Sequence, residues 1–104
     1  MTTQRPLPPN HLLVSVVIPT YARPRQLRSC LEALAQQTLD RDAFEVVVVD
    51  DGSPEGVGAL AEDFAGRLHI RVIRQVNAGP GAARNRGASE AAGALIAFTD
   101  DDCK

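Results

Sequence analysis

The amino-acid sequence predicts an α/β domain of three layers, α/β/α, with helices on both faces of a parallel sheet. Apolar strand-like runs alternate with helical segments, in the order β-α-β-α-β-α-β. One run, Val46–Val49, is four valines with no polar face, which is typical of a strand covered on both sides. Strands that alternate with helices are joined by right-handed crossovers and therefore run parallel.

The first strand–helix unit follows a polar N-terminal segment. Residues 1–12 are rich in proline, so we expect a disordered tail there and place the domain at residues 13–104. Val14–Ile18 is apolar and β-branched, which predicts a strand that Pro19 ends. Leucines at helical spacing then predict a helix over Pro24–Gln37, with the proline in its first turn.

The second unit begins with a strand at Glu45–Asp50. A turn follows, in which we expect Ser53 to cap a helix and Pro54 to occupy its first position. Apolar residues at helical spacing continue this helix through Val57–Phe64, and Gly66 ends it.

The last third of the chain contains two further strands and one helix. Ile70–Ile73 is a weaker strand, and the glycine-rich turn Asn77–Gly81 leads into an alanine-rich helix. Gly93 precedes the last strand, Leu95–Phe98, which we expect to be buried because it is wholly apolar.

Length, charge and cysteine content exclude several classes of protein. A chain of 104 residues suits one small domain. Its net charge of −2 argues against a general nucleic-acid binder. No apolar stretch reaches the roughly 20 residues of a membrane-spanning helix. Cys30 and Cys103 lie too far apart to suggest a disulfide framework, so we expect a reducing, cytoplasmic location.

Polar residues follow each strand at one edge of the predicted sheet, where ligands bind in such folds. The segments are Pro19–Tyr21, Asp50–Ser53, Asn77–Gly81 and Asp100–Asp102. Two acidic clusters at one edge repel each other unless a cation or hydrogen-bond donors lie between them. Carboxylates are ligands that Mg²⁺ and Mn²⁺ favour, which indicates a metal–nucleotide site. Solvated acids or helix caps are the simpler alternative.

The other residues at this edge each allow two interpretations. Gly79 and Gly81 form a helix-entry turn, or they let backbone N–H groups approach an anion. Arg84 meets a phosphate or extends to solvent. Tyr21 stacks on a base or packs against the protein.

Four segments together resemble the nucleotide-binding half of family 2 glycosyltransferases, which have the Rossmann-like GT-A fold. They are Val14–Tyr21, Val48–Ser53, Asn77–Gly87 and Phe98–Asp102, and they occur in the family's order and at about its spacing. Each segment alone is a weak signal, and all four in register are a strong one.

The resemblance implies a role for each matching residue. The nucleotide-sugar donor would contact Pro19, Thr20, Tyr21, Asp50, Asp51, Asn77, Gly79, Gly81, Arg84, Asn85, Asp100 and Asp101. Tyr21 would lie against the base, and Asp51 would accept a hydrogen bond from it, most simply from N3–H of uracil. Asp100–Asp102 would be the family's Asp-x-Asp motif. Asp100 would face the ribose and Asp102 would bind Mn²⁺ or Mg²⁺, with Asp101 as a rival metal ligand.

The resemblance also limits what can be expected of this sequence. No acid in it matches the base of inverting family members, so we assign no catalytic residue and leave open whether the chain is an enzyme. It looks like a donor-binding half that is incomplete at its C-terminus. The partners we expect are a UDP-sugar and no nucleic acid. Self-association, pairing with a missing C-terminal half, and peripheral association with the inner membrane face through a lipid-linked or polymer acceptor are further possibilities.

Two alternatives to a glycosyltransferase stay open. One is a non-catalytic or truncated nucleotide- or metal-binding remnant of the same fold, which would share every motif. The other is a nucleotidyltransferase, although the glycine-rich basic loop expected after its first strand is absent here. A dinucleotide-dependent dehydrogenase is excluded because Pro19–Arg23 stands where Gly-x-Gly-x-x-Gly would be needed.

Overall fold

The computed structural model describes residues 12–37 and 41–101. The elements, in chain order, are β1 (Leu12–Thr20), α1 (Pro24–Ala35), a 3₁₀ turn (Arg41–Ala43), β2 (Phe44–Asp50), α2 (Gly58–Glu62), β3 (Ile70–Arg74), α3 (Pro80–Glu90) and β4 (Gly93–Phe98). All strands pair in parallel, in the spatial order β3-β2-β1-β4. The predicted α/β class and parallel sheet are confirmed.

Two apolar clusters show the three layers. On one face, Ile18, Val46 and Val48 pack with residues of α1 and with Phe64 and Leu68, which follow α2. On the other face, Val17, Val47 and Val49 pack with Ala83 of α3. Every residue of β2 is buried, as its valine run predicts. The sheet is thus covered by α1 and the α2 region on one side and by α3 on the other.

Gly87 lets α3 approach the sheet closely. A Cβ atom at this position would overlap the side chain of Val17 and lie 3.1 Å from Cγ2 of Val49. The small residue therefore sets the distance between α3 and the two central strands. It thereby also sets where the start of α3 lies relative to the carboxyl ends of the strands.

The prediction that Pro19 ends the first strand is wrong, because β1 continues to Thr20. The carbonyl of Val17 accepts a hydrogen bond from the Thr99 amide (3.1 Å), and that of Thr20 accepts one from the Asp51 amide (2.9 Å). Backbone groups of successive strand residues point to opposite sides, so the nitrogen of Pro19 faces the β4 side, where β4 has already ended. The proline removes no hydrogen bond from the sheet.

The predicted start of the second helix is also wrong. The helix begins at Gly58, and no side chain caps it. Ser53 bonds elsewhere, because its Oγ accepts from the Ala22 amide (2.7 Å) and its own amide donates to Asp50 Oδ1 (2.9 Å). Pro54 therefore lies in the loop that connects β2 to α2.

The expectation that the last strand is buried is wrong as well. Within residues 12–37 and 41–101, β4 pairs with β1 alone and is an edge strand of the sheet. Leu95 is 67% exposed and Phe98 is 50% exposed. The apolar run identifies the strand correctly, but it does not show which faces other elements cover.

Glu45 lies near the amino ends of the strands, at the opposite end of the sheet from the predicted site. It connects β2 to β1, to β3 and to the residue before β4. Its Oε2 accepts hydrogen bonds from Ser15 Oγ (2.6 Å) and the Ala92 amide (2.8 Å), and its Oε1 lies 3.3 Å from Nε of Arg71. Burial raises the pKa of Glu45, but these hydrogen bonds and the charge of Arg71 outweigh burial and hold the pKa below its ordinary value.

Two sequence predictions concern the rest of the chain. Of the predicted tail, only Leu12 lies in the described part, and it begins β1. Within the described ranges, no helix is long and apolar enough to cross a membrane.

Candidate functional site

A cleft of about 440 Å³ opens at the carboxyl ends of the strands, where the chain order of the sheet reverses between β1 and β4. Such a reversal is where ligands bind in open α/β sheets. The cleft is lined by Pro19, Thr20, Tyr21, Arg23, Asp51, Pro80, Ala83, Arg84, Asp100 and Asp101. Seven of these are residues that the sequence singled out, and they come from four separate segments.

Asp51 is buried at one wall of the cleft, and donors surround its carboxylate. Oδ1 accepts from Gln75 Nε2 (2.9 Å) and the Ala78 amide (2.8 Å), and Oδ2 accepts from the Gly79 amide (2.9 Å) and Asn77 Nδ2 (3.1 Å). The hydrogen bond from Gln75 lowers the pKa of Asp51. Burial opposes this shift and the two amides add to it, so the pKa lies below its ordinary value. Asp51 thereby holds the loop that precedes α3.

Gly52 allows this arrangement. Its φ is +88°, a conformation that side chains rarely adopt, and a Cβ there would lie 2.9 Å from the Asn77 backbone nitrogen. The turn after Asp51 can therefore pass directly beside the loop that its carboxylate binds.

Asp50 does not line the cleft. It is fully buried behind it, where Oδ1 accepts from the Ser53 amide (2.9 Å) and Oδ2 from Arg74 Nη1 (2.8 Å). Arg74 also donates to the Ser53 carbonyl (2.6 Å). The structure thus places Asp50 in the support of the turn after β2.

Asp100 and Asp101 form the opposite wall and differ in their surroundings. Asp101 is 5% exposed, and its Oδ2 accepts from Thr20 Oγ1 (3.0 Å) while its Oδ1 lies 3.5 Å from Nε of Arg23. Asp100 is exposed, and its carboxylate makes no hydrogen bond or ion pair with the residues that the structure describes. Asp102, the predicted metal ligand, lies outside the described residues.

The start of α3 supplies the positive side of the cleft. Pro80, Ala83 and Arg84 of its first turns line the cleft. The N-terminus of a helix carries a partial positive charge, and Arg84 adds a full one. Tyr21 is 48% exposed and lines the same cleft, so it is not a core residue. Gly79, Gly81, Asn77 and Asn85 lie in or beside this loop and helix without lining the cleft.

The sequence patterns do not single out Arg23, Arg74 or Gln75. Arg74 is the last residue of β3 and Gln75 follows it, and Arg74 stands beside Asp50 in the register of β2 and β3. A donor at the end of a neighbouring parallel strand is the signal that would have identified them. Arg23 pairs with a residue near the other end of the chain, so its role has no local sequence signal.

The chemistry of the cleft fits a divalent cation only in part. In residues 12–37 and 41–101, no three His, Cys, Asp or Glu side chains are grouped so as to hold a metal ion. The carboxylate of Asp100 is nevertheless a hard oxygen donor without a hydrogen-bond or ion-pair partner among these residues. Such donors suit Mg²⁺ and Mn²⁺, which complete their shells with water and substrate phosphate.

The family model described as glycosyl transferase family 2 matches residues 15–104. This chain belongs to that family. Curated relatives include an uncharacterized glycosyltransferase, EpsJ of Bacillus subtilis, which is 42% identical over 91 residues, and glycosyltransferase AglE of Haloferax volcanii, which is 40% identical over 93 residues. Each match covers 86% of this chain, which spans only 26% and 30% of the two relatives.

Solved structures of glycosyltransferases show the same fold. TarS of Staphylococcus aureus (residues 1–349), in complex with UDP-GlcNAc, superposes with a TM-score of 0.83 at 34% identity, and the match covers 88% of this chain and 27% of that one. The mannosyltransferase PcManGT of Pyrobaculum calidifontis, in complex with GDP-Man and Mn²⁺, gives 0.79 at 28% identity, over 88% and 28% of the two chains. The GT-A type of fold that the resemblance implies is confirmed.

Proposed function

We propose that the cleft binds the nucleoside-diphosphate sugar that serves as donor in a family 2 glycosyl transfer. The observation that carries the proposal is that acidic and basic groups from separate segments line one cleft. Asp100 and Asp101 line it after β4, and Arg84 lines it at the start of α3. A sugar nucleotide with a divalent cation presents both anionic phosphates and a cation, so it matches groups of both signs.

The groups that line the cleft have defined tasks in this proposal. Arg84 and the N-terminus of α3 neutralise the diphosphate, which gains charge when the sugar leaves. Tyr21 offers an exposed ring at the end of β1 for the base to lie against. Asp51 remains our proposed contact for the base. Its four donors already occupy the acceptor positions of the carboxylate, so the base would have to replace one of them.

We also propose a metal contact at the acidic residues that follow β4. Asp102 is our proposed ligand for a divalent cation, and Asp100 is our proposed contact for the ribose. When bound, the cation would stabilise the departing diphosphate as a Lewis acid. A divalent cation and a nucleotide-sugar donor are supported by two related solved structures, one in complex with GDP-Man and Mn²⁺ and the other with UDP-GlcNAc. Because the two relatives bind different nucleotides, both a UDP-sugar and a GDP-sugar should be tested. UDP comes first because it is the donor that we expect.

The transfer step itself is proposed from family membership alone. We assign no catalytic base, and the acceptor is expected to be a polymer or a lipid-linked molecule, used in the cytoplasm at the inner face of the membrane. A non-catalytic binding role for the same cleft is separated from an enzymatic one by a turnover assay on the binding-competent protein.

Calorimetric titration tests the donor site. The protein is titrated with UDP-GlcNAc and with GDP-mannose, each in Mn²⁺ and each with a chelator. We expect one of them to bind in Mn²⁺, and Arg84→Gln to weaken that binding about 10- to 100-fold, the value of a charge-assisted hydrogen bond. Arg25→Gln, an exposed arginine outside the cleft, is the matched control and should bind like the unaltered protein.

Three results would contradict parts of the proposal. Equal affinity with Mn²⁺ and with chelator would remove the metal. Equal loss in the Arg84 and Arg25 variants would mean that the anion is not held at the start of α3. A folded protein that binds neither nucleotide would overturn the donor site.

A further inference from the structure

The end of β4 is tied to β1 and α1 at successive residues. The Thr99 amide donates to the Val17 carbonyl (3.1 Å), and Sγ of Cys30 lies 3.7 Å from the Asp100 carbonyl as a weak hydrogen bond. The carboxylate of Asp101 then accepts a hydrogen bond from the Thr20 hydroxyl. The backbone that carries the acidic motif is thus held from the protein side of the cleft.

Asp101 makes the strongest of these ties. It is almost fully buried, and each of its oxygens faces a donor from the end of β1 or the residues just after it, Thr20 and Arg23. Hydrogen bonds to a buried charge contribute more than those between neutral groups. Arg23 is half exposed, so its 3.5 Å ion pair is weaker than the hydrogen bond from Thr20.

Asp100 has the opposite surroundings. Its side chain is exposed, and its carboxylate makes no hydrogen bond or ion pair with the described residues. Two adjacent acids therefore present one engaged and one open carboxylate. A carboxylate that already binds two protein donors has fewer lone pairs left for a cation than its open neighbour has.

We propose that Asp101 is a positioning residue and not a metal ligand. Together with Thr20 and Arg23, it fixes the backbone beside Asp100, the open carboxylate of the motif. What Asp100 binds rests on the proposed function, whereas the tie itself is a property of the chain without ligand. Asp101 is the middle residue of the Asp-x-Asp motif. An acid at this position can accept the hydrogen bond from Thr20 and pair with Arg23.

The two roles of Asp101 make opposite predictions for Thr20→Val. If Asp101 is a metal ligand, removal of the Thr20 hydroxyl frees an oxygen and leaves metal-dependent binding intact. If Asp101 is a positioning residue, the same change releases the end of β4 and weakens that binding. Thr20→Ser, which keeps the hydroxyl, is the matched control in both cases.

The first experiment needs no ligand. Hydrogen exchange of the Thr99 and Asp101 amides is compared in the unaltered protein, Thr20→Val, Thr20→Ser, Asp101→Ala and the Thr20→Val/Asp101→Ala double variant. We expect about tenfold faster exchange in the Val and Ala variants, no further gain in the double variant, and unaltered rates for Ser. Exchange in Thr20→Val at the unaltered rate would overturn the proposal.

The second experiment measures the ratio of nucleotide affinity with Mn²⁺ to that with chelator, using UDP or GDP. We expect the ratio to fall about tenfold in Thr20→Val and in Asp101→Ala and to stay unaltered in Thr20→Ser. A ratio that is lost in Asp101→Ala but kept in Thr20→Val would make Asp101 a ligand. If the unaltered protein shows no Mn²⁺ effect, the proposed function fails, and the exchange data alone decide whether Asp101 holds β4.

Discussion

Two pairs of adjacent acids, Asp50–Asp51 and Asp100–Asp101, follow or end strands at the carboxyl end of the sheet. Their charges are equal, but their surroundings in the fold differ. Asp50 and Asp51 are buried, and backbone amides and side chains of the following loops donate to both carboxylates. Asp101 has two partners and Asp100 has none among the described residues. The first pair and Asp101 therefore stabilise the protein, and Asp100 leaves negative charge available for a ligand.

This difference shows that an acid at a strand end is not a ligand by position alone. A carboxylate surrounded by donors lowers the free energy of the folded state. One that lacks them has no such benefit, so its position is better explained by binding.

The largest effect is expected for Asp51→Ala. The change leaves the donors of Gln75, Ala78 and Gly79 without their acceptor, so we expect a loss of about 3 kcal/mol in the free energy of unfolding. Urea unfolding measures it. Asp100→Ala is the control and should change stability by less than about 0.5 kcal/mol. Similar losses in the two variants would end the distinction between the pairs.

Arg74→Gln should have the next largest effect. It removes the cation from buried Asp50 and a hydrogen bond to the Ser53 carbonyl, at a cost of about 2 kcal/mol. Arg86→Gln, which breaks only an exposed pair with Glu90, should cost less than about 0.5 kcal/mol. Thermal unfolding of both variants gives the comparison, and equal shifts would argue that Asp50 is not held by its partner.

Acid should weaken the fold through Asp51 and Glu45. Both have a pKa below the ordinary value in the folded state. Their contribution is therefore complete above the unfolded pKa values, which are 3.8 for Asp and 4.5 for Glu, and it is lost as pH falls through the folded pKa values. Urea midpoints should fall from about pH 5 downward. Asp51→Ala should show a shallower fall, and an unchanged slope would remove Asp51 from this account.

The smallest effect is expected at Ala22, in the turn between β1 and α1. Its amide donates to Ser53, and its φ is +53°, a left-handed conformation that costs a residue with a Cβ about 1 kcal/mol. Asparagine tolerates this conformation better. Ala22→Asn should therefore raise the free energy of unfolding by about 0.5 kcal/mol. A loss of stability would mean that the asparagine side chain disturbs the turn.

The parallel sheet and its order of elements were predictable because they depend on local patterns. Valines in β2 and the prolines and glycines at the helix starts act within a few residues of themselves. The start of α2 was not predictable, since Ser53 and Pro54 fit a helix cap locally but are held by Asp50, Ala22 and Arg74. The exposure of β4 depends on which elements cover it, and an apolar run contains no such information.

The site was predictable as a set of strand-end residues but not as a set of contacts. Family resemblance and topology together indicate which segments meet at the cleft. They assign the base contact to Asp51 and count Asp50 as a donor contact as well, but they do not show that Asp50 lies behind the cleft and Asp51 at its wall. They also miss Arg23 and Gln75, whose partners are defined only once the strands are in register.

The position of β4 beside β1 has a consequence for the order in which the protein folds. Contacts between β1 and β2 span about 30 residues and those between β2 and β3 span 24, but Thr20 and Asp101 are 81 residues apart. Closing the longest loop costs the most chain entropy, so we expect β3, β2 and β1 to associate first and β4 to dock last. The wall formed by Asp51 would then exist before the wall formed by Asp100 and Asp101. A folding intermediate that lacks β4 would expose the edge of β1, and the cleft would form only in the final step.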